Sequence, residues 1–117
     1  MNIYGIGTDI VNVNRIQTAF KKNRQAFKKR IYTKSKIKAC ENRKNKIECF
    51  AKRFAAKEAF VKAIGTGFRN GINFNDISVK SIKLGKPKIY LTPSFLSDRT
   101  AACPPDKSLL DFFTKLF

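Results

Sequence analysis

The first hydrophobic segment of the chain is short, apolar and rich in β-branched residues. It runs over residues 3–13 and carries Gly5 and Gly7 within it. This pattern predicts a buried strand, and a glycine inside a strand marks a position where another backbone or a ligand comes close. Asp9 interrupts the apolar run, and an unpaired carboxylate in a buried strand is costly. We therefore expect Asp9 to have a partner.

Two helical segments follow this strand. Over residues 14–29 the apolar residues recur at helical spacing among lysines and arginines, which predicts a basic amphipathic helix. Asn23 is a candidate break in that helix. Thr33 or Ser35 would then cap the N-terminus of a second, shorter helix through Cys40.

The strongest helical signal lies over residues 46–64. This segment is rich in Ala, Lys, Glu and Phe, contains no Gly or Pro, and ends at Gly65, a residue type that commonly follows a helix C-terminus. Large apolar residues form one stripe with small alanines beside it, which favours close packing against a sheet. The stripe is Phe50, Phe54, Val61 and Ile64, and the alanines are Ala51, Ala55 and Ala59.

After this helix the pattern predicts two strands and then changes. Residues 77–84 and 88–91 have strand character and are joined by Gly85-Lys86-Pro87. Beyond Leu91 prolines break any strand, and residues 109–117 place their apolar positions on one helical face. We therefore expect an α+β fold, with a small antiparallel sheet packed on one long helix and a short helix at the C-terminus.

Composition excludes several classes of protein. The 117 residues suffice for one domain, no apolar run reaches the roughly 18 residues of a membrane span, and the N-terminus lacks the basic segment of a secretory signal. The absence of histidine removes Ser-His-Asp and Cys-His catalysis. The three cysteines, Cys40, Cys49 and Cys103, show no metal-binding spacing, so we expect free thiols in a cytoplasmic protein.

The net charge of +17 is concentrated in the first part of the chain. Residues 1–90 hold 22 of the 25 Lys and Arg residues but only five of the eight acids. Such a surface binds an anionic partner: nucleic acid, an anionic membrane, a phosphate ligand or an acidic protein. Aromatic residues interleave with basic ones over residues 20–32, so a small nucleic-acid-binding protein is one candidate. The chain carries no recognised motif for that function.

The chemistry of the chain centres on three charged residues. Glu58 and Lys62 lie four residues apart on the long helix in the order that stabilises helices, so a surface salt bridge is the simplest interpretation. However, Glu58 is one of the five acids in residues 1–90, and Asp9 is a second acid without an evident partner. A strand carboxylate and a helix carboxylate together suit Mg²⁺, which adds water and phosphate oxygens. Without the metal, repulsion should raise the pKa of one acid.

Three segments resemble the holo-[acyl-carrier-protein] synthases of the 4′-phosphopantetheinyl transferase superfamily. They are GIGTDIV at 5–11, RFAAKEAFVKAIGTG at 53–67 and GKP at 85–87. The resemblance implies a phosphopantetheinyl transferase domain over residues 1–91, with 92–117 as an atypical C-terminal segment of the same domain. It implies Mg²⁺-dependent transfer of 4′-phosphopantetheine from coenzyme A to a serine of apo-acyl carrier protein, in fatty acid biosynthesis.

The resemblance also assigns roles to individual residues. Asp9 and Glu58 match the positions that hold Mg²⁺, and Lys62 matches the lysine that faces the pyrophosphate. The proton acceptor for the serine stays open between Asp9, Glu58 and a metal-bound water. The residues that match the coenzyme-binding positions are Arg53, Lys62, Gly65, Lys86 and Pro87. Those that match the docking surface for the acidic carrier protein are Arg15, Lys22, Arg24, Phe27 and Arg30.

The C-terminal segment departs from the family pattern. Family members finish with two further strands, one of which bears a Ser-x-(Ser/Thr)-His-like segment, and these strands support a homotrimer with active sites between subunits. Residues 92–117 contain no such segment, no histidine and no evident strand. An inactive truncated or frame-shifted homologue is therefore the alternative to an active enzyme.

Overall fold

The computed structural model describes residues 5–68, 71–81, 87–93, 95 and 110–116, the last range by its backbone alone. It confirms the α+β class. The elements in chain order are β1 (Gly5–Val11), α1 (Val13–Ile31), α2 (Lys34–Glu41), α3 (Lys46–Ala63), a 3₁₀ turn (Phe74–Asp76), β2 (Ile77–Ser81), β3 (Pro87–Leu91) and β4 (Leu110–Leu116).

The described strands form two separate pairs. β2 and β3 are antiparallel, with Ile77 opposite Leu91 and Ser81 opposite Pro87. β1 instead pairs in parallel with β4 along its whole length, from Gly5 opposite Leu110. The predicted antiparallel sheet is therefore confirmed for β2 and β3, and the parallel pair adds to it.

The predicted C-terminal helix is wrong, as is the expectation that no strand follows Leu91. Residues 110–116 form β4. So short an apolar run fits the helical and the alternating pattern alike. A helix of this length is marginal in isolation, whereas pairing with β1 satisfies backbone groups along an otherwise open strand edge.

α1 begins and breaks where the sequence predicts. Its N-cap residue, Asn12, accepts a hydrogen bond from the backbone N–H of Asn14 at 2.9 Å. Asn23 has non-helical dihedral angles (φ −156°, ψ 80°), and its side chain caps the restarted helix by accepting from the N–H of Ala26 at 3.3 Å. None of the described helices is long and apolar enough to cross a membrane.

α3 lies directly against β1, and Gly7 is the point of closest approach. A Cβ atom at Gly7 would overlap the carbonyl oxygen of Ala59 and lie 2.6 Å from the backbone nitrogen of Ala63. The close backbone approach predicted from the strand glycines is therefore confirmed at this position. The helix ends as predicted, with Gly65 in the left-handed region at φ 79°.

Two apolar clusters flank α3 and cover its predicted apolar stripe. Three of the four stripe residues are buried, and the fourth, Phe54, is half-buried. The first cluster packs the start of α3 against α1, and the second packs its end against β2. The first includes Ile16, Phe20, Phe50, Ala51 and Ala55, and the members of the second are Phe60, Val61, Ile64, Ile72, Ile77 and Phe95.

A disulfide joins Cys40 to Cys49, with their Cα atoms 5.6 Å apart. The expectation of free thiols is therefore wrong for these two residues. Cys40 lies in α2 and Cys49 in α3, and the turn between them folds α3 back beside α2. Spacing along the sequence does not reveal that reversal. Cys103 lies outside the described residues.

Lys57 is a buried cation on α3, with 2% of its surface exposed. Its ammonium donates to the backbone carbonyl oxygens of Ile31 and, at 2.9 Å, Phe74. Burial, reinforced by the charge of Arg53, lowers its pKa from 10.5 to about 8. Between these values the unfolded chain binds more protons at this position than the folded chain does, so the contribution of Lys57 to stability rises with pH.

We expect this rise to be measurable by comparison with Lys57→Met, which has no titrating group. The free energy of unfolding of the wild type, relative to that of the variant, should increase between pH 8 and pH 10 by up to about 1.4 kcal/mol per pH unit, the limit for one proton. Urea denaturation at several pH values measures this difference. A difference that stays constant over the window would contradict the assignment.

Candidate active site

Asp9 and Lys62 join the strand β1 to the last turn of α3. The Nζ of Lys62 donates to the Oδ1 of Asp9 at 2.9 Å. The Asp9 side chain is only 12% exposed, whereas that of Lys62 is 52% exposed. The hydrogen bond to Asp9 raises the pKa of Lys62. Asp9 therefore has the partner that its place in an apolar strand requires.

Glu58 lies one helical turn before Lys62 and is half-buried. Within the described part of the chain it makes no hydrogen bond or ion pair, so the simple Glu58–Lys62 salt bridge does not form. Burial, and next the negative charge of Asp9, raise the pKa of Glu58, while Lys62 lowers it. The structure thus confirms the prediction that one acid of the pair has a raised pKa.

The other four acids of residues 1–90 all have partners, which makes Glu58 the exception. Asp9 binds Lys62, Glu41 binds Arg24, Lys28 and Lys46, Glu48 binds Lys52, and Asp76 accepts from the backbone of Asn73 and the hydroxyl of Thr92. With 25 Lys and Arg residues against eight acids, unused cationic side chains are abundant. An unpaired, half-buried carboxylate in such a chain is a candidate ligand for a different cation.

The donor set fits a magnesium ion. The described residues contain no group of three or more His, Cys, Asp and Glu side chains that could enclose a metal, so zinc-type coordination is not formed there. Two carboxylates leave most of an octahedral shell to water and ligand oxygens, which is how Mg²⁺ binds beside phosphates. Asp9 and Glu58 would hold such an ion, and the ammonium of Lys62 lies 2.9 Å from the Oδ1 of Asp9.

The residues predicted to border the coenzyme differ in their contacts and in their exposure. Arg53 is half-buried, and its Nη1 donates to the carbonyl oxygen of Cys49 at 3.3 Å and to its Sγ at 2.8 Å. Burial lowers the pKa of Arg53, and its buried Nε has no partner among the described residues. Gly65 and Pro87 are exposed, and Lys86 lies outside the described residues.

The predicted docking residues lie along α1 and differ in what they contact. Arg15, Lys22 and Arg30 are exposed. Arg24 is 3.2 Å from a carboxylate oxygen of Glu41, so its charge is partly neutralised. Phe27 is half-buried and packs edge-to-face on Phe20, with ring centroids 5.4 Å apart. The basic face is therefore present, while Phe27 also serves the core.

Sequence reasoning missed Lys57, the residue immediately before Glu58. A lysine three and four residues before the buried Phe60 and Val61 is the one signal that could have identified it, because residues at that spacing share a helix face. Its two acceptors belong to distant parts of the chain, which no local pattern specifies.

Comparison with known proteins bears on this arrangement. The sequence model of the 4′-phosphopantetheinyl transferase superfamily matches residues 5–108. The match therefore extends beyond residue 87, where the last of the three similar segments ends. The holo-[acyl-carrier-protein] synthase of Wolbachia pipientis subsp. Culex pipiens (strain wPip) is 48% identical over 98 residues, which cover 81% of this chain and 79% of the relative.

Solved structures agree with the sequence comparison. The crystal structure of holo-[acyl-carrier-protein] synthase from Neisseria meningitidis superimposes with a TM-score of 0.74 at 42% identity, covering 84% of this chain and 81% of that one. The Helicobacter pylori enzyme, solved in complex with coenzyme A, gives 0.69 at 30% identity over 79% and 77%. The chain therefore belongs to the holo-[acyl-carrier-protein] synthase family of the 4′-phosphopantetheinyl transferase superfamily.

Proposed function

We propose that this chain transfers 4′-phosphopantetheine from coenzyme A to a serine of an apo-acyl carrier protein, using Mg²⁺ held by Asp9 and Glu58, in fatty acid biosynthesis. The observation that carries the metal assignment is the unpaired carboxylate of Glu58, half-buried and subject to the charge of Asp9. Family membership supports the reaction, and the coenzyme A complex of the Helicobacter pylori relative supports the donor.

The residues of the site have separate tasks in this reaction. The serine oxygen attacks the β-phosphorus of coenzyme A and forms a new O–P bond. The bond from that phosphorus to the bridging oxygen of the pyrophosphate breaks, and adenosine 3′,5′-bisphosphate leaves with that oxygen. When bound, Mg²⁺ would neutralise negative charge on the pyrophosphate oxygens. Lys62, whose side chain is 52% exposed, adds a positive charge to the same oxygens. The serine proton passes to Asp9, to Glu58 or to water.

The basic face of α1 supports recognition of the carrier protein. Arg15, Lys22 and Arg30 are exposed on this helix, and opposite charge accelerates encounter with an acidic partner. The same charge that suggested nucleic-acid binding is accounted for by a phosphate-rich coenzyme and an acidic protein substrate. The cytoplasmic location and the division of the domain at residue 91 stay predictions.

The experiment that tests this function combines the purified chain with apo-acyl carrier protein, coenzyme A and Mg²⁺. Mass spectrometry should detect carrier protein enlarged by one phosphopantetheine group, with adenosine 3′,5′-bisphosphate as the second product. Removal of divalent metal with EDTA should lower the rate by about a hundredfold or more, and added Mg²⁺ should restore it. Undiminished transfer without metal would overturn the metal assignment. No transfer at any Mg²⁺ concentration would favour the inactive homologue.

We also propose that the chain forms a homotrimer. Ile6 and Ile10 on β1 are 59% and 61% exposed, and two large apolar side chains on one face of a strand are typical of an association surface. Sedimentation analysis should give a trimer at micromolar concentration. Ile10→Lys should shift the distribution toward monomer, and a wild type that sediments as a monomer would contradict the proposal.

A further inference from the structure

Lys57 and Glu58 are consecutive residues of α3 with opposite environments. Successive side chains on an α-helix are about 100° apart, so the two point to different neighbours. Lys57 reaches the last residue of α1 and the first residue of the 3₁₀ turn through the carbonyl oxygens of Ile31 and Phe74. Glu58 makes no such bond and faces the charge of Asp9 on β1.

The carbonyl of Ile31 is one that needs a partner from outside its helix. The last four carbonyl groups of an α-helix accept no hydrogen bond from within the helix. Ile31 is the last residue of α1. Asn75 also binds this end, since its Nδ2 donates to the carbonyl oxygen of Lys29 at 2.9 Å. The end of α1, the 3₁₀ turn and the middle of α3 are therefore tied together on the side of α3 that carries Lys57.

Two bonds from one ammonium to two separate segments restrict rotation of this turn of α3. Since a helix with side chains is about 10–12 Å across, a rotation of about 10° would move a carboxylate at its surface by about 1 Å. That exceeds the tolerance of about 0.5 Å within which a metal-binding group must be held. Magnesium is demanding in this respect because it requires near-ideal octahedral geometry.

We propose that Lys57 is a positioning residue of the metal site, whose bonds to the carbonyls of Ile31 and Phe74 hold the α3 turn at the rotation that sets Glu58 opposite Asp9. The inference rests on the proposed function, because it takes these two carboxylates as the metal ligands. It adds that the strength of metal binding is set from a different face of the helix. Replacement of Lys57 should weaken metal binding without removing any ligand.

The test measures Mn²⁺ binding to the full chain by calorimetry, with Mn²⁺ as a probe that prefers the same oxygen ligands. Lys57→Met keeps the length and apolar stem of the side chain and removes the donors. We expect its Kd for Mn²⁺ to rise by at least about tenfold, the usual cost of losing a residue that orients a ligand. Lys52→Met is the matched control, because Lys52 lies on the same helix with its side chain 62% exposed, and its Kd should stay at the wild-type value.

A second control separates positioning from general loss of stability. Ile47→Ala removes a half-buried side chain packed on the first apolar cluster, so it should lower the Tm while leaving the Kd for Mn²⁺ unchanged. Equal weakening by Ile47→Ala and Lys57→Met, or wild-type binding by Lys57→Met, would overturn the inference. Should Lys57→Met not fold, Lys57→Gln, which removes the charge but keeps an amide NH₂ as donor on a shorter side chain, is measured against the same controls.

The wild-type arm distinguishes this inference from the proposed function. If the wild type binds no Mn²⁺, the metal assignment to Asp9 and Glu58 fails, and the role of Lys57 fails with it. If the wild type binds Mn²⁺ and Lys57→Met binds it equally well, the metal site stands and only the positioning role is lost. In the transfer assay the variant should need more Mg²⁺ for half-maximal rate yet recover much of kcat at saturating Mg²⁺.

Discussion

Replacement of Glu58 by glutamine is expected to lower phosphopantetheine transfer by about a hundredfold or more while leaving the protein at least as stable as the wild type. Glutamine has the same shape but lacks the charge that would hold the metal, and loss of one such electrostatic group commonly costs this much. No hydrogen bond or ion pair within the described residues is broken. Repulsion from Asp9, one cause of the raised pKa of Glu58, is removed.

The pH dependence of this stability difference has a definite sign. Because the pKa of Glu58 is raised in the folded chain, the folded state binds the proton more readily than the unfolded state does. The penalty from its charge therefore grows as pH rises from the ordinary pKa of 4.5 to the raised one, and it is fully present above the raised pKa. In the absence of metal, Glu58→Gln should gain stability over the wild type at neutral pH and lose that advantage in acid.

The matched control is Glu48→Gln, on the same helix. Glu48 pairs with Lys52 at 3.4 Å in an exposed i, i+4 arrangement, so its replacement should change stability by no more than about 0.5 kcal/mol and leave transfer unchanged. Transfer rates and thermal unfolding, measured for Glu58→Gln and Glu48→Gln, test whether the carboxylate of Glu58 is required for transfer. A Glu58→Gln enzyme with more than a tenth of wild-type activity would refute the role given to this carboxylate.

Gly7→Ala is expected to be the most destabilising single change in β1. The added methyl group would overlap the carbonyl oxygen of Ala59 and approach the nitrogen of Ala63 to 2.6 Å. Both are backbone atoms of α3, which cannot turn aside as a flexible side chain does. Overpacking of this kind costs about 1–3 kcal/mol or more. Because it would push β1 from α3, it should also separate Asp9 from Glu58 and reduce transfer.

Gly67→Ala is the comparison that isolates steric overlap. Gly67 has φ 60° and open space around the position of its missing Cβ, so alanine there meets backbone strain alone, about 1–2 kcal/mol. Urea denaturation should show a larger loss for Gly7→Ala, accompanied by weaker Mn²⁺ binding. A Gly7→Ala protein as stable as the wild type would mean that β1 and α3 do not pack as closely as described.

The features predicted correctly are those set by local sequence. Asn23 interrupts α1 because its side chain can cap the helix that restarts after it, and Gly65 ends α3 because it accepts a positive φ. That Asp9 has a partner, and that the pKa of Glu58 is raised, followed from the cost of isolated acids in partly buried positions, whereas the identity of that partner, Lys62, was not predicted. Physical chemistry of single residues was sufficient in each case.

The features that were missed depend on contacts between distant segments. The disulfide of Cys40 and Cys49 needs the reversal between α2 and α3, and the acceptors of Lys57 lie in α1 and the 3₁₀ turn. β4 is a strand because β1 offers it an edge, a partner from the opposite end of the chain. No window of local sequence contains both members of these pairs.

The parallel pairing of β1 with β4 also sets an order of events during synthesis. The three charged residues of the site lie within β1 and α3, whereas β4 spans residues 110–116. A ribosome releases the chain from its N-terminus at about 5–20 residues per second, so β1 and α3 can meet before β4 exists. The reaction centre can therefore assemble on the nascent chain, while the edge of β1 stays open to wrong partners until β4 has been made and released.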